Sequence, residues 1–357
     1  MKKFRVGILA GTGMVGQKYI QLLENHSWFE VVYISASDRS AGKKYSEAVD
    51  GRWHLPTELP KNVAKIEVRK MSEIQKCNEE CDFVFSALGS NPAREWEEKY
   101  AEVGIPVVSN ASAHRHDKDV PMIIPEINSD HLKIIPIQQK NRNWKNGFIA
   151  VKPNCSLQSY LTPLFALHQK FKLKRAIITT LQAVSGSGYP GVSSYDLIDN
   201  VIPFISGEEE KSEFEPKKIL GKIVDNEILN NNDFQISAHC NRVPVIDGHL
   251  ATVSVDFETK PSREEIIKIW KEFKGIPQKY DLPSAPKQPI IYREESDRPQ
   301  PKLDRDIDKG MAVTVGRLRD GNVFQYRFVG LSHNTVRGAA GGGILNAELL
   351  VKEGFIK

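Results

Sequence analysis

The sequence predicts an α/β fold of two domains, the first of which is a doubly wound parallel sheet. Short apolar runs alternate with helical patterns over residues 4–110, and this order is typical of parallel strands joined by helices. A length of 357 residues exceeds what one small core fills, so we expect a second domain. We predict a first domain over residues 1–154, a second over 155–333, and a C-terminal helix over 334–357 that completes the first.

The first apolar run, residues 4–10, leads directly into a glycine-rich turn and then into a helix. Glycines in the spacing G-x-G-x-x-G permit a tight turn and bring the backbone close to a pyrophosphate at the helix N-terminus. The order strand, turn, helix therefore predicts a Rossmann-type dinucleotide-binding domain, although an ordinary strand–helix turn is the simpler alternative. The turn consists of Gly11, Thr12, Gly13, Met14, Val15 and Gly16.

The second predicted strand, residues 30–36, ends in Ser37, Asp38, Arg39 and Ser40. An acidic residue at this point binds the ribose hydroxyls of NAD, whereas an arginine among hydroxyl groups suits the 2′-phosphate of NADP. Arg39 and its two flanking serines therefore favour NADP, and Asp38 keeps NAD open.

A cysteine lies where a strand gives way to a helical pattern. Pro153, Asn154 and Cys155 follow the apolar run 148–151. The N–H groups and the dipole at a helix N-terminus favour an anion. We therefore expect the Cys155 thiol to ionise readily and to act as a nucleophile. The alternative is a buried structural cysteine.

A second group of polar residues surrounds a predicted turn. Asp247 and Gly248 lie between two apolar runs, which predicts a β-hairpin. In a simple hairpin, four residues of strand, roughly 13 Å, would separate Arg242 from Ile246, the partner of His249. One small substrate could not reach both side chains, so a longer turn or a bulge is needed. His249 could also be an ordinary core histidine.

Composition excludes several classes of protein. Cys77 and Cys81 have no second Cys or His pair nearby, so we expect no metal site. A net charge of +4 is too small and too dispersed for nucleic acid. The few cysteines, and the lack of a signal peptide or a long apolar stretch, predict a cytoplasmic protein that does not bind membranes.

Taken in order, these segments resemble the aspartate-β-semialdehyde dehydrogenases, specifically their archaeal and fungal branch, over essentially the full length. The set is far more specific than any of its members. The matching segments are residues 11–16, 109–112 with Arg115, 153–156, 182–186, 208–211, 241–243 with 248–249, and 334–341.

The resemblance implies an α+β catalytic and dimerisation domain with a mixed sheet, and a homodimer or homotetramer. It also implies NADPH-dependent reduction of L-aspartyl 4-phosphate to L-aspartate 4-semialdehyde and phosphate through a cysteine thioester. This reaction belongs to the biosynthesis of lysine, methionine, threonine and isoleucine.

The resemblance further implies a role for each matching residue. Cys155 would be the nucleophile and His249 the acid–base group. Arg242 and Glu208 would bind the substrate carboxylate and amine. The phosphate would contact Arg115, Asn154 and Lys211, while Gln182 orients the acyl group. The residues expected to contact NADP are Thr12, Gly13, Met14, Val15, Ser37, Arg39, Ser40, Ser86, Ser185, Gly186 and Asn334.

Three departures from the branch lie near the acyl pocket. The branch usually has Ala where this chain has Ser187, Asn where it has Lys152, and a small hydroxyl residue where Leu157 follows Ser156. An acyl-CoA reductase, such as a malonyl-CoA reductase, therefore stays open as an alternative, as does a non-catalytic NADP-sensing regulator. The charged residues listed above favour the acyl phosphate of an amino acid, which needs opposite charges in separate places.

Overall fold

The structure is a computed structural model that describes residues 2–357. Its first part is a six-stranded sheet in the order β3-β2-β1-β4-β5-β6, in which all neighbouring strands are parallel. This is the doubly wound order that the sequence predicts. The strands are β1 (Phe4–Leu9), β2 (Phe29–Ala36), β3 (Val68–Lys70), β4 (Phe83–Ser86), β5 (Val107–Ser109) and β6 (Ile149–Val151).

Strand β1 is buried on both faces because helices cover both sides of the sheet. Val6 and Ile8 pack into one apolar cluster, and Leu9, on the opposite face, packs into the other. The helices of this part are α1 (Met14–Leu23), α2 (Tyr45–Ala48), α3 (Lys61–Ala64), α4 (Ile74–Glu80), α5 (Ser90–Glu102), α6 (Pro125–Asn128) and α7 (Ile135–Arg142).

The second part is built on a mixed six-stranded sheet in the order β10-β7-β11-β14-β13-β12. Its outer pairs are parallel and its inner pairs antiparallel. The strands are β7 (Leu173–Gln182), β10 (Gln235–Arg242), β11 (His249–Phe257), β12 (Ile290–Arg293), β13 (Val313–Asp320) and β14 (Tyr326–Ser332), and a separate antiparallel pair consists of β8 (Lys222–Val224) and β9 (Glu227–Leu229).

The remaining helices cover this sheet or return to the first one. Helix α8 follows Cys155 closely, and α10 packs on β10. The helices are α8 (Leu161–Phe171), α9 (Ser194–Leu197), α10 (Glu208–Ile219), α11 (Arg263–Glu272), α12 (Ile276–Lys279), α13 (Pro301–Asp304) and α14 (Gly341–Lys352).

The predicted hairpin at Asp247 and Gly248 is wrong. Strands β10 and β11 do not pair with each other, because β7 lies between them. Gln182 of β7 is level with Arg242 of β10, and Leu181 of β7 is level with Leu250 of β11. The segment 243–248 crosses the end of β7, so the ends of β10 and β11 converge there. Because of this crossing, Arg242 and His249 lie closer together than they would in a simple hairpin.

Helix α14 packs against the first sheet. Gly343 makes this contact close, since a Cβ there would lie 2.0 Å from the Tyr19 hydroxyl of α1. Leu345 and Leu349 join the apolar cluster that contains Ile20 of α1. No helix within residues 2–357 is both long and apolar enough to cross a membrane.

Candidate active site

Cys155 lies between the two sheets, at the start of a short helical turn. Strand β6 ends four residues earlier, and a 3₁₀ turn over Ser156–Ser159 follows directly before α8. Any side chain larger than that of Gly338 would collide with it, because a Cβ at that position would lie 2.9 Å from the Cβ of Cys155. The close approach of the segment before α14 therefore encloses the thiol.

His249 faces this thiol from the first position of β11. The Cys155 Sγ lies 3.3 Å from Nε2 of His249, and the imidazole is fully buried. The backbone N–H of Ala183 donates to Nδ1 at 3.0 Å. Because Nδ1 accepts this bond, the proton of the neutral ring resides on Nε2. His249 thus presents an N–H donor to the sulfur.

The electrostatic setting of Cys155 differs from the expected one. The pKa of the thiol is raised to about 11, mainly by burial and also by the carboxylate of Glu208. Lys152, Arg115 and Arg242 lower it in part. The prediction of easy ionisation is therefore wrong, since the dehydration of the sulfur raises its pKa by more than the nearby cations lower it.

The buried setting of His249 likewise disfavours its charged form. Burial lowers the pKa of the imidazole well below its usual value, and the nearby charges of Arg242, His333 and Lys152 act in the same direction. At neutral pH the ring is therefore neutral, in agreement with the tautomer that the Ala183 N–H imposes.

Glu208 is the centre of a buried polar cluster beside the thiol. Its carboxylate accepts two bonds from the Asn154 amide at 2.8 and 2.9 Å, one from Lys211 at 2.9 Å and one from Gln182 at 3.2 Å. Four of the predicted substrate residues therefore lie in one hydrogen-bonded group. An added amine would find a carboxylate there, already oriented by three donors.

Arg115 holds a second buried group, which the sequence predicted only in part. Its Nη1 donates to Glu215 at 2.8 Å, and the other oxygen of Glu215 accepts from the backbone N–H of Asn154 at 2.6 Å. Glu215 was missed. Its spacing from Glu208 and Lys211 on α10 places all three on one helix face, and that periodicity could have identified it.

Arg242 and the glycine-rich loop of residues 185–191 close the site from the side of the second sheet. Arg242 donates to the carbonyl of Ala183 at 2.6 Å. A Cβ on Gly186 would lie 3.0 Å from the Arg242 guanidinium and 3.1 Å from the His249 ring. Asn334 fixes this loop, because its amide donates to the Ser185 hydroxyl and accepts from the Gly248 N–H, both at 2.8 Å.

A cavity of about 1050 Å³ joins Cys155 to the glycine turn of the first sheet. Met14 and Val15 line one end, and Arg115 and Asn154 lie beside the thiol. Several other residues that line the cavity were not predicted from the sequence. The additional lining residues include Lys18, Trp53, His54, Arg305, Asp306 and His333.

The glycine turn has the shape that a dinucleotide pyrophosphate requires. A Cβ on Gly16 would lie 2.6 Å from the Gly11 Cα, and one on Gly11 would lie 2.5 Å from Ile34. Helix α1 begins at Met14 without a side-chain cap, so its first N–H groups are available to a phosphate. The residues present therefore fit the phosphates of the group that the sequence predicts.

Three serines and one arginine, which are predicted to contact the rest of the dinucleotide, lie at the ends of strands. Ser37, Arg39 and Ser40 follow β2, and Ser86 ends β4. Both strands are neighbours of β1, so these residues flank the glycine turn, outside the lining of the cavity itself. The hydroxyl of Ser40 is buried and has no hydrogen-bond partner among residues 2–357.

Two family models match the chain and together span most of it. Residues 5–135 match the semialdehyde dehydrogenase NAD binding domain, and residues 164–337 match the semialdehyde dehydrogenase dimerisation domain. The aspartate-semialdehyde dehydrogenase of Archaeoglobus fulgidus is 48% identical over 357 residues, covering 99% of this chain and 100% of the relative. The chain belongs to the aspartate-semialdehyde dehydrogenase family. The Schizosaccharomyces pombe member is 44% identical, with 99% of both chains covered.

A solved structure of the family has the same fold. The aspartate semialdehyde dehydrogenase of Candida albicans with NADP is 41% identical and superimposes with a TM-score of 0.91 over 99% of this chain and 100% of the other. The predicted family, the α/β fold with its mixed second sheet, and the NAD(P)-binding first part are therefore confirmed.

Proposed function

We propose that this chain reduces L-aspartyl 4-phosphate to L-aspartate 4-semialdehyde and phosphate with NADPH, as a step of amino-acid biosynthesis. The observation that carries the proposal is the pair of Cys155 and His249, 3.3 Å apart, in the cavity that reaches the glycine turn. Archaeal and fungal relatives at 42–48% identity have the name of this enzyme. A non-catalytic regulator would need no such nucleophile.

The first sheet supplies the cofactor site. We assign the N–H groups of residues 12–15 to the pyrophosphate, Arg39 with Ser37 and Ser40 to the 2′-phosphate, and Ser86 to the dinucleotide at the end of β4. Ser185, Gly186 and Asn334 would contact the nicotinamide side. NADPH, when bound, supplies the hydride that reduces the acyl carbon.

Cys155 and His249 carry out the covalent chemistry. The thiolate attacks the carbonyl carbon of the acyl phosphate; a C–S bond forms, and the bond to the phosphate oxygen breaks with both electrons leaving on the phosphate. His249 donates a hydrogen bond from Nε2 to the sulfur, transfers this proton to the carbonyl oxygen as the hemithioacetal forms, and recovers it as the aldehyde leaves. After reduction, cleavage of the C–S bond releases the aldehyde and restores the thiolate.

The charged groups around the thiol fit a substrate with a carboxylate, an amine and a phosphate. Glu208 would bind the amine and Arg242 the carboxylate, while Arg115, Asn154 and Lys211 would face the phosphate. Gln182, whose amide donates to Glu208 at 3.2 Å, would orient the acyl chain. A buried carboxylate for the amine, together with guanidinium groups for the two anionic ends, favours an amino-acid acyl phosphate over a CoA thioester.

We also propose that the protein works as a homo-oligomer in the cytoplasm, with residues 334–357 acting as part of the cofactor domain. The four cysteines of the chain are free, which fits a reducing compartment. The segment 195–204, within the part of the chain that matches the dimerisation domain, exposes four large apolar side chains that a second copy would cover. They are Tyr195, Ile198, Val201 and Phe204.

The decisive experiment measures NADP⁺ reduction with aspartate semialdehyde and phosphate, beside NADPH oxidation with malonyl-CoA. We expect activity in the first assay, and its loss in Cys155→Ser with NADP binding retained, because a hydroxyl is a poor nucleophile without a strong base. Activity only with malonyl-CoA would replace the proposed substrate. Turnover of Cys155→Ser within a few-fold of the parent would exclude the thioester.

A further inference from the structure

Lys152 is a buried cation without a carboxylate partner. It follows β6 directly and is 2% exposed. Its Nζ donates to the carbonyl of Pro153 at 2.7 Å, and no ion pair found among residues 2–357 includes it. A lysine is rarely buried without a paired charge, so a group of opposite charge is expected near its ammonium during function.

The packing places this lysine beside the nucleophile. A Cβ on Gly342 would lie 3.1 Å from the Cε of Lys152, just as one on Gly338 would lie 2.9 Å from the Cβ of Cys155. Both side chains thus pack on the same glycine-rich segment, at positions four residues apart. Both also line the same cavity.

The other charges near Lys152 already have partners. Arg115 is bound to Glu215 at 2.8 Å. Arg337 forms two bonds to Glu126, at 2.7 and 2.9 Å. The sulfur is therefore the remaining nearby group that can become an anion and pair with the lysine.

The charges near the sulfur lead to the same conclusion. Glu208 opposes its ionisation and His249 is neutral, whereas the positive charges of Lys152, Arg115 and Arg242 favour it. Among the cations that favour the thiolate, Lys152 has the largest effect.

We propose that Lys152 is a positioning residue that supplies the positive charge stabilising the Cys155 thiolate, which the helical turn alone does not supply. The inference rests on the proposed thioester chemistry. Burial lowers the pKa of Lys152, which is about 7 even though the charge of a Cys155 thiolate raises it. Each group therefore favours the charged form of the other, and the pair becomes zwitterionic more easily than either group ionises alone.

The test is the pH dependence of the alkylation of Cys155 by iodoacetamide, quantified on the Cys155 peptide. This readout needs neither substrate nor turnover. In Lys152→Met we expect the midpoint to rise by roughly one to three pH units, the shift that loss of a nearby opposite charge produces. Lys218→Met is the matched control, because the Lys218 ammonium is also buried but donates to the carbonyls of Arg115 and Asp117, both at 2.7 Å.

An unchanged midpoint in Lys152→Met, or an equal rise in Lys218→Met, would overturn the proposal. If Lys152→Met does not fold, the same alkylation titration of Lys152→Arg tests the proposal. A guanidinium stays charged throughout the titration, so the midpoint must then be equal to or lower than that of the parent, and a higher one refutes the inference. Failure of the function itself would appear elsewhere, as persistent turnover in Cys155→Ser.

Discussion

Arg39 tests how a single side chain selects the cofactor. It is exposed at the end of β2, beside the glycine turn. We expect Arg39→Ala to weaken NADPH binding by roughly 10- to 100-fold and NADH binding little, since a hydrogen bond to a charged group contributes about 1.5–3 kcal/mol and only NADPH has the 2′-phosphate. Titration of both cofactors by fluorescence measures this. Equal weakening of both would show that Arg39 does not contact that phosphate.

His249 tests the division of work between nucleophile and proton donor. In His249→Asn we expect formation of the thioester to be better preserved than overall turnover, which should fall roughly 10²–10⁴-fold. Asparagine keeps an N–H donor near the sulfur but cannot exchange a proton near neutral pH. Rapid-quench trapping of the acylated enzyme separates the two steps.

Two outcomes would contradict this assignment for His249. If the variant acylates no better than Cys155→Ser, the histidine activates the thiol instead. If its turnover equals that of the parent, His249 is only a core residue.

At the level of single residues, the sequence predicted several of the side chains that the fold brings together around Cys155, but not their electrostatic state. The segment 153–156 marks Cys155 as a candidate nucleophile because of its local setting. The pKa of the thiol depends instead on dehydration by segments far away in the chain, such as the one containing Gly338. The same holds for the proton on Nε2 of His249, which is fixed by the backbone N–H of Ala183, 66 residues away in sequence.

Among the strands, too, some features follow from the local sequence and others do not. Strands β1, β2 and β4 are short apolar runs with turn residues at their ends, so the local sequence is enough to find them. The arrangement of β10 and β11 is not local. Strand β7 precedes β10 by more than fifty residues and inserts between the two. The local sequence at Asp247 and Gly248 predicts a turn, but it does not indicate that a strand from another part of the chain lies between β10 and β11.

The segment before α14 should control the position of the nucleophile. In Gly338→Ala the new Cβ would lie 2.9 Å from the Cβ of Cys155, so the thiol must move. We expect kcat to fall by roughly 10²-fold, as a displacement of about 1 Å produces, with NADP affinity little changed. Gly341→Ala is the control, because its Cβ would meet Met311 and Val336 instead.

The two glycine variants should separate stability from catalysis. Gly341→Ala should lower the melting temperature while keeping most of the kcat of the folded fraction. Equal loss of kcat in both variants would mean that the segment acts through general destabilisation.

For the whole molecule, the exposed apolar segment predicts association. Phe204 is 64% exposed and Tyr195 is 95% exposed, which is unusual for large apolar side chains on one short segment. We expect the parent protein to be a dimer or larger at micromolar concentration, and Phe204→Glu to shift it towards the monomer, because a buried unpaired carboxylate is costly. Light scattering after size-exclusion chromatography gives the mass.

A surface change away from this segment controls for the effect of charge. Val323 is also exposed, at 84%, but it lies in the turn between β13 and β14. Val323→Glu should leave the mass unchanged. A monomeric parent, or the same shift in both variants, would contradict the proposed interface.

The return of α14 to the first sheet has a consequence during protein synthesis. Leu345 and Leu349 fill the same cluster as Val6 and Ile20, so this core cannot close until the ribosome has translated nearly the whole chain. At about 5–20 residues per second, the nascent strands wait for roughly tens of seconds with an apolar face uncovered. The half of the chain that is synthesised first therefore completes its core last. Until then, its apolar face is a binding surface for chaperones that bind nascent chains.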